Sequence, residues 1–233
     1  NQFLTPRDIG IDSSGNVYVI DTSNKRVVKL DSNGNWLTSW GGPTASPMSF
    51  PLGITVTNDL VYVADTGGKL VRVFDTNGNQ LTSFGSQGAC TFNGIRDVAR
   101  DAAGNIYVAN YENNNILKFN PTGTCLTTWG TQGSGNGQFR TPYGVAVAVD
   151  PILGIEAVYV ADANNDRIQE FDTDGTFLTT FGSSGTPDQP GTFTELRRVA
   201  VATDGAGDVW GADLWGFRLE RFHRTASGYD LAQ

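Results

Sequence analysis

An all-β fold of repeated four-stranded sheets is what this sequence predicts, on three observations. The stretch Val158–Gly182 (VYVADANNDRIQEFDTDGTFLTTFG) returns without a gap at Val17–Gly41, Val61–Gly85 and Ile106–Gly130, and in worn form from Val209. Self-similarity at a fixed period is the signature of a repeat architecture. The apolar runs are short, four to six residues rich in Val, Ile, Tyr and Phe, and each is bounded by Gly, Asn or Asp, the pattern of strands and turns. No segment sustains a helical period.

Taken in order, each repeat opens on an aromatic residue ahead of an apolar segment, at Phe3, Phe50, Phe92, Phe139 and Phe193. In the first repeat Asp8–Asp12 is read as strand one, and Ser13–Asn16 as a turn whose Gly and Asn tolerate left-handed backbone angles. Val17–Asp21 follows as strand two, Arg26–Asp31 as strand three and Trp36–Gly41 as strand four, with turns at Thr22–Lys25 and Ser32–Asn35. The blades expected are 3–41, 50–85, 92–130, 139–182 and 193–233, in one domain. The longer final interval comes from the insertion Pro151–Ala157 and the loop Thr186–Thr192. Strands such as Val61-Tyr62-Val63-Ala64 are apolar on both sides of the pleat, so every sheet must be covered on both faces. Radial stacking of blades does this while leaving only short edges, and the fold expected is a β-propeller.

The run from Phe139 to Val147, the linker Gly133–Gln138 before it, and the two repeats Val17–Gly41 and Val158–Gly182 together resemble the NHL repeat. The Gly-His and Trp-Asp pairs of WD40 blades are absent. The resemblance implies a propeller commonly of six blades, whereas five NHL-like repeats are present in simple strand order. We therefore expect part of a six-bladed ring or an open arc, with a closed five-bladed ring as the alternative. Asn1-Gln2-Phe3 aligns with Gly137-Gln138-Phe139, which leads to the expectation of a preceding linker. The fold hosts many activities, so function must be argued from the site.

Composition narrows the classes. The 233 residues carry a formal net charge of -8, and lysine occurs only at Lys25, Lys29, Lys69 and Lys118. An acidic chain is a poor partner for nucleic acid or anionic membrane, and no apolar run reaches the roughly 18–20 residues of a membrane helix. Abundant Asn, Gly, Ser and Thr suit an extracellular or cell-surface protein. Cys90 and Cys125 are either a disulfide or two isolated thiols.

Comparison among the repeats locates the candidate site. Where strand one begins, blades two and four keep the glycine of the repeat pattern (Gly53, Gly144), and the others carry Arg7-Asp8, Arg96-Asp97 and Arg197-Arg198. These positions, with Tyr143, should ring one mouth of the central channel. Such a patch suits a carboxylate, phosphate or sugar, because arginine presents a planar fork of donors. Mutual pairing of the Arg and Asp residues, with no ligand, is the competing reading. Trp215 and Phe217 lie in a loop that is polar in the other copies, where they could grip a partner or pack against a further blade.

Other constellations read as scaffold. Asp21, Asp65, Asp162 and Asp213 recur at the end of strand two, with Asn110 in the third copy, and Arg26, Arg167 and Arg218 follow three of them. This repetition points to turn organisation. Calcium binding by Asn164–Asp166 or Asp172–Gly175 is the alternative cofactor reading; otherwise no cofactor is expected. His223 is the only histidine, so the metal-bound histidines of family-related amidating lyases have no equivalent set, and no metal or catalytic residue is assigned. The leading expectation is a non-catalytic scaffold binding a protein or glycan through its loop face. The alternatives are a channel-mouth hydrolase or lyase with an oxygen-ligated divalent cation, using Asp8 and Asp97, and a structural subunit assembling through its end blades.

Overall fold

In the computed structural model, residues 2–42, 47–57, 59–201 and 207–232 are described. Residue 233, the expected end of blade five, and Asn1 lie outside them. The chain forms a five-bladed β-propeller. Its five four-stranded antiparallel sheets each take their strands in sequence order. The inner strands are Pro6–Ile11, Pro51–Thr57, Ile95–Arg100, Pro142–Asp150 and Leu196–Val201. Two short parallel pairs, Thr131–Gln132 with Gln138–Phe139 and Ser183–Ser184 with Thr192–Phe193, brace the linkers after blades three and four.

In blades one to four an Asp or Asn closes the outer hairpin. Asp31 Oδ1 accepts the amides of Asn33 and Asn35, and Asp75, Asn120 and Asp172 repeat the pattern. The side chain satisfies backbone donors that the tight turn leaves unpaired. Between strands two and three, the residues Lys25, Asn114, Asp166 and Phe217 all adopt left-handed backbone with φ of 50–55°.

The recurring acid at the end of strand two is a clasp. Asp21 accepts the Leu4 amide and the Arg26 guanidinium, and Asp162 accepts the Arg140 amide and Arg167. Asp213 takes the amides of Thr194 and Glu195, and Asn110 does the same for Asn93. Asp65 finds its cation at Arg72, two positions later than the pattern leads one to expect, because Leu70 stands at the usual site. These carboxylates are buried, and buried charge is tolerated only when it is paired in this way.

Second strands are covered on both faces as expected, with Val61, Tyr62, Val63 and Ala64 all buried. Four apolar clusters join blades one to two, two to three, three to four and four to five. One expectation is corrected here. The residue that plugs blade two is Met48, which is fully buried and occupies the place of Phe92, Phe139 and Phe193, whereas Phe50 is exposed. The Met48 Cε and the rings of Phe139 and Phe193 all lie over the glycine ending the preceding outer strand, at Gly41, Gly130 and Gly182. The insertion before Val158 is also not wholly a loop, because it lengthens both arms of its hairpin to Pro142–Asp150 and Ile155–Asp162. Cys90 and Cys125 are disulfide-bonded, tying the linker before blade three to that blade's outer strand. Among the described residues no helix is long and apolar enough to cross a membrane.

Candidate functional site

The inner strands of neighbouring blades lie close together, most tightly at Gly53. A Cβ on Gly53 would stand 2.6 Å from Asp97 Cα, and one on Gly144 3.1 Å from Arg198 Cα. This crowding delivers the charged pairs of blades one, three and five to a single mouth. A cavity of about 560 Å³ opens there, lined by Arg7, Arg96, Arg197, Arg198 and Tyr143, with Leu214 on its rim.

Two layers make up the arrangement. In the outer layer the Arg197 guanidinium stacks 3.9 Å above the Tyr143 ring, and Arg96 lies 4.9 Å from the same ring and 4.4 Å from Tyr111. Tyr111 and Tyr143 meet edge to face, with centroids 5.0 Å apart. Stacking on the ring faces leaves the guanidinium edges free to donate. Glu195 pairs with Arg197. The Nε atoms of Arg96 and Arg197 are both buried without a hydrogen-bond partner, a costly state for a charged group.

In the inner layer Arg198 spans the channel. Its guanidinium lies 2.6 Å from Asp97 and 3.3 Å from Asp8, and it donates to the Leu52 carbonyl at 3.0 Å. Both carboxylates also accept backbone amides from the next blade, Asp8 from Ile54 and Asp97 from Val145. Burial pushes the Asp8 carboxyl up to about 7 despite Arg198 beside it, and the charge of Asp97 adds to the rise.

Five of the expected residues, Arg7, Arg96, Tyr143, Arg197 and Arg198, thus converge on one cavity. Asp8 and Asp97 lie beneath it, along the channel wall, where a second cavity of about 350 Å³ opens. Trp215 is exposed on the same loop face but does not line the mouth. Mutual pairing of Arg and Asp holds for Arg198 alone, and the stacked arginines do not follow it. Tyr111, Glu195 and the Leu52 carbonyl were not anticipated. Tyr111 was detectable in principle, since it is the one aromatic at a loop position otherwise held by Thr22, Thr66, Ala163 and Leu214.

The Asp-rich loops weighed for calcium are hairpin and clasp elements, and among the described residues no group of three or more His, Cys, Asp or Glu side chains could hold a metal ion. His223 pairs with Asp208 at 2.8 Å, away from the mouth.

The family model for the NHL repeat matches residues 3–30, 48–74 and 92–119, and its second match begins at the plug residue Met48. Over 84 residues the chain is 37% identical to the peptidylglycine alpha-amidating monooxygenase of Rattus norvegicus, covering 34% of this chain and 8% of that protein. A homologue from Xenopus laevis is 40% identical over 81 residues, again 8% of its length. The chain thus spans under a tenth of these relatives. Among solved structures, a streptogramin B lyase superposes with a TM-score of 0.70 at 14% identity, over 97% of this chain and 67% of that one. A catalytically inactive virginiamycin B lyase from Staphylococcus aureus, solved with quinupristin, gives 0.70 at 16% identity over 99% and 70%. A protein of unknown function from Bacteroides thetaiotaomicron gives 0.73 at 17% over 96% and 58%. These last likenesses concern the fold.

Proposed function

We propose that this chain, an NHL-repeat β-propeller, is a non-catalytic binding scaffold whose loop-face mouth takes an anionic group displayed by a protein or glycan partner, in an extracellular or cell-surface setting. The observation that carries the reading is the pair of arginines stacked on Tyr143, both lining a cavity of about 560 Å³. A carboxylate or sulfate placed there would accept from both guanidinium edges, and such charge-assisted, forked contacts are the strong class of hydrogen bond. The ring holds both cations in place before the ligand arrives, so little ordering is left to be done on binding. Arg198 is already engaged by two carboxylates and serves the site by fixing its floor.

The competing reading is a channel-mouth hydrolase or lyase. One observation favours it: Asp8, held protonated up to about 7, is suited to proton transfer. One experiment separates the two. Glycans bearing uronate or sulfate, together with acidic peptides, are immobilised and offered to the wild type and to the Arg96→Ala, Tyr143→Ala and Trp215→Ala variants. Capture that falls at least about 10-fold in the first two, with the bound probe recovered intact, is the expected result. Capture indifferent to both substitutions would overturn the proposal. So would metal-dependent turnover of ester or lactone probes that disappears in Asp8→Asn.

A further inference from the structure

A further cavity of about 470 Å³ opens on the loop face between blades three and four. Tyr111, Glu112 and Asn114 of blade three stand on one side of it, and Arg140, Thr141 and Asn164 of blade four on the other. The backbone around it is pinned. Asn114 Oδ1 accepts the Thr141 amide at 2.8 Å, the clasp Asp162 accepts the Arg140 amide at 2.7 Å, and the Asn164 amide donates to the Arg140 carbonyl at 3.1 Å. The side-chain heads are uncommitted. Glu112, Arg140 and Asn164 are exposed, and among the described residues their side chains make no hydrogen bond or ion pair. Neighbouring and equivalent positions behave otherwise. Ser23, which holds the place of Asn164 in blade one, is bonded to Thr5, and Asn165 donates to Asp162 and to the Gly133 carbonyl.

This cavity shares a wall with the arginine mouth. Tyr111 holds the Arg96 guanidinium 4.4 Å from its ring centre and meets Tyr143 edge to face, and both Arg96 and Tyr143 line the mouth. The two cavities differ in charge. Four arginines line the mouth, whereas the second cavity sets one cation, Arg140, against one anion, Glu112. A second anionic group would meet Glu112 there. A neutral, hydroxyl-bearing unit would not, and it would find Arg140 to donate, Glu112 to accept, and the amides of Gln132 and Asn164 to do both. Among the described residues no aliphatic side chain lines the cavity, so an apolar peptide side chain has nothing to pack on. We infer that the loop face binds an acidic glycan across two adjoining subsites, a uronate unit in the mouth and a neutral sugar unit in the cavity beyond Tyr111. The inference rests on the reading of the mouth as an anion site, and it narrows the partner from protein or glycan to glycan.

The test titrates three probes into the isotopically labelled chain, followed by NMR: glucuronate, its disaccharide with N-acetylglucosamine, and a short polyglutamate peptide. The disaccharide should bind at least about 10-fold more tightly than glucuronate alone. The double change Arg140→Ala, Asn164→Ala should remove that gain, leave the affinity for glucuronate as it was, and retain the thermal midpoint, since neither side chain is bonded. Arg96→Ala should weaken both sugars. Equal affinity for the two sugars, with glucuronate still lost on Arg96→Ala, would overturn this inference and leave the mouth reading standing. Failure of the wild type to bind glucuronate would overturn both. A gain that survives the double change would overturn the inference, and so would a peptide held more tightly than the disaccharide through Arg140.

Discussion

Replacing Arg198 with Met should be the most informative perturbation of the channel, because it retains much of the stem and removes one charge. Arg198 is 27% exposed in its side chain and faces two carboxylates that are 17% and 7% exposed. Removing one partner of a fully buried pair costs about 3–5 kcal/mol. Partial solvent access here, and the backbone amides that each carboxylate keeps, lower the expectation to about 2–3 kcal/mol. For a chain of this size that is a fall of about 5–10 °C in midpoint. The pH dependence sharpens the test. In the folded protein Asp8 holds its proton up to about 7, whereas the unfolded group ionises near 3.8. Its contribution to stability is therefore greatest below about 4 and declines as pH rises to about 7. Without Arg198 to lower the Asp8 pKa, the decline extends to higher pH, where charge forms on Asp8 with no cation beside it. Glu170 is likewise pushed up to about 7, by burial first and by Asp150, but it is common to both proteins and cancels in the difference. Urea denaturation of wild type and variant at pH 5 and pH 8 is the assay. The loss should be larger at pH 8, and the further change Asp8→Asn should restore part of it. A loss below about 0.5 kcal/mol, the range of an ordinary surface substitution, and equal at both pH values, would refute the reasoning.

Two further outcomes follow from the packing. Reducing the disulfide, or making the Cys90→Ala, Cys125→Ala double variant, should lower stability by about 3–4 kcal/mol, the loop-closure value for a separation of 35 residues; denaturant titrations with and without reductant check it. Gly53→Ala should destabilise by about 2–3 kcal/mol because the added methyl meets the backbone of the neighbouring strand. Gly10→Ala should cost less, since its nearest obstacle is the side chain of Val56; thermal midpoints of the two variants give the order.

Much of the fold was legible because its rules are local. Turn residues, strand lengths and the recurring Asp–Arg spacing are written within each repeat, and the structure places Asp21, Asp162 and Asp213 in one role. What escaped the sequence needed the third dimension. Phe50 sits next to its proline and imitates the opening of other repeats, yet the residue three positions ahead of the inner strand does the packing, and that residue is Met48. Convergence of Arg7, Arg96 and Arg197 could be inferred from equivalence alone. That Arg198 would turn inward to Asp8 and Asp97 while its neighbour Arg197 turned outward to Tyr143 could not, because adjacent residues alternate in any strand but which of them faces the channel is set by the ring and by the irregular register between Leu196 and Arg198.

The clasp acids carry a consequence for how such a chain accommodates change. Because Asp21, Asp162 and Asp213 capture the amides just ahead of each inner strand, the register of a blade is set at that capture point and not by the length of linker leading to it. The loop between blades four and five is longer than the one between three and four, yet Phe193 and Phe139 seat alike over Gly182 and Gly130. The linkers thus differ in length between fixed anchors. A foreign peptide spliced ahead of the clasp at Asp188 should be carried on the loop face without displacing the stacked arginines at the mouth.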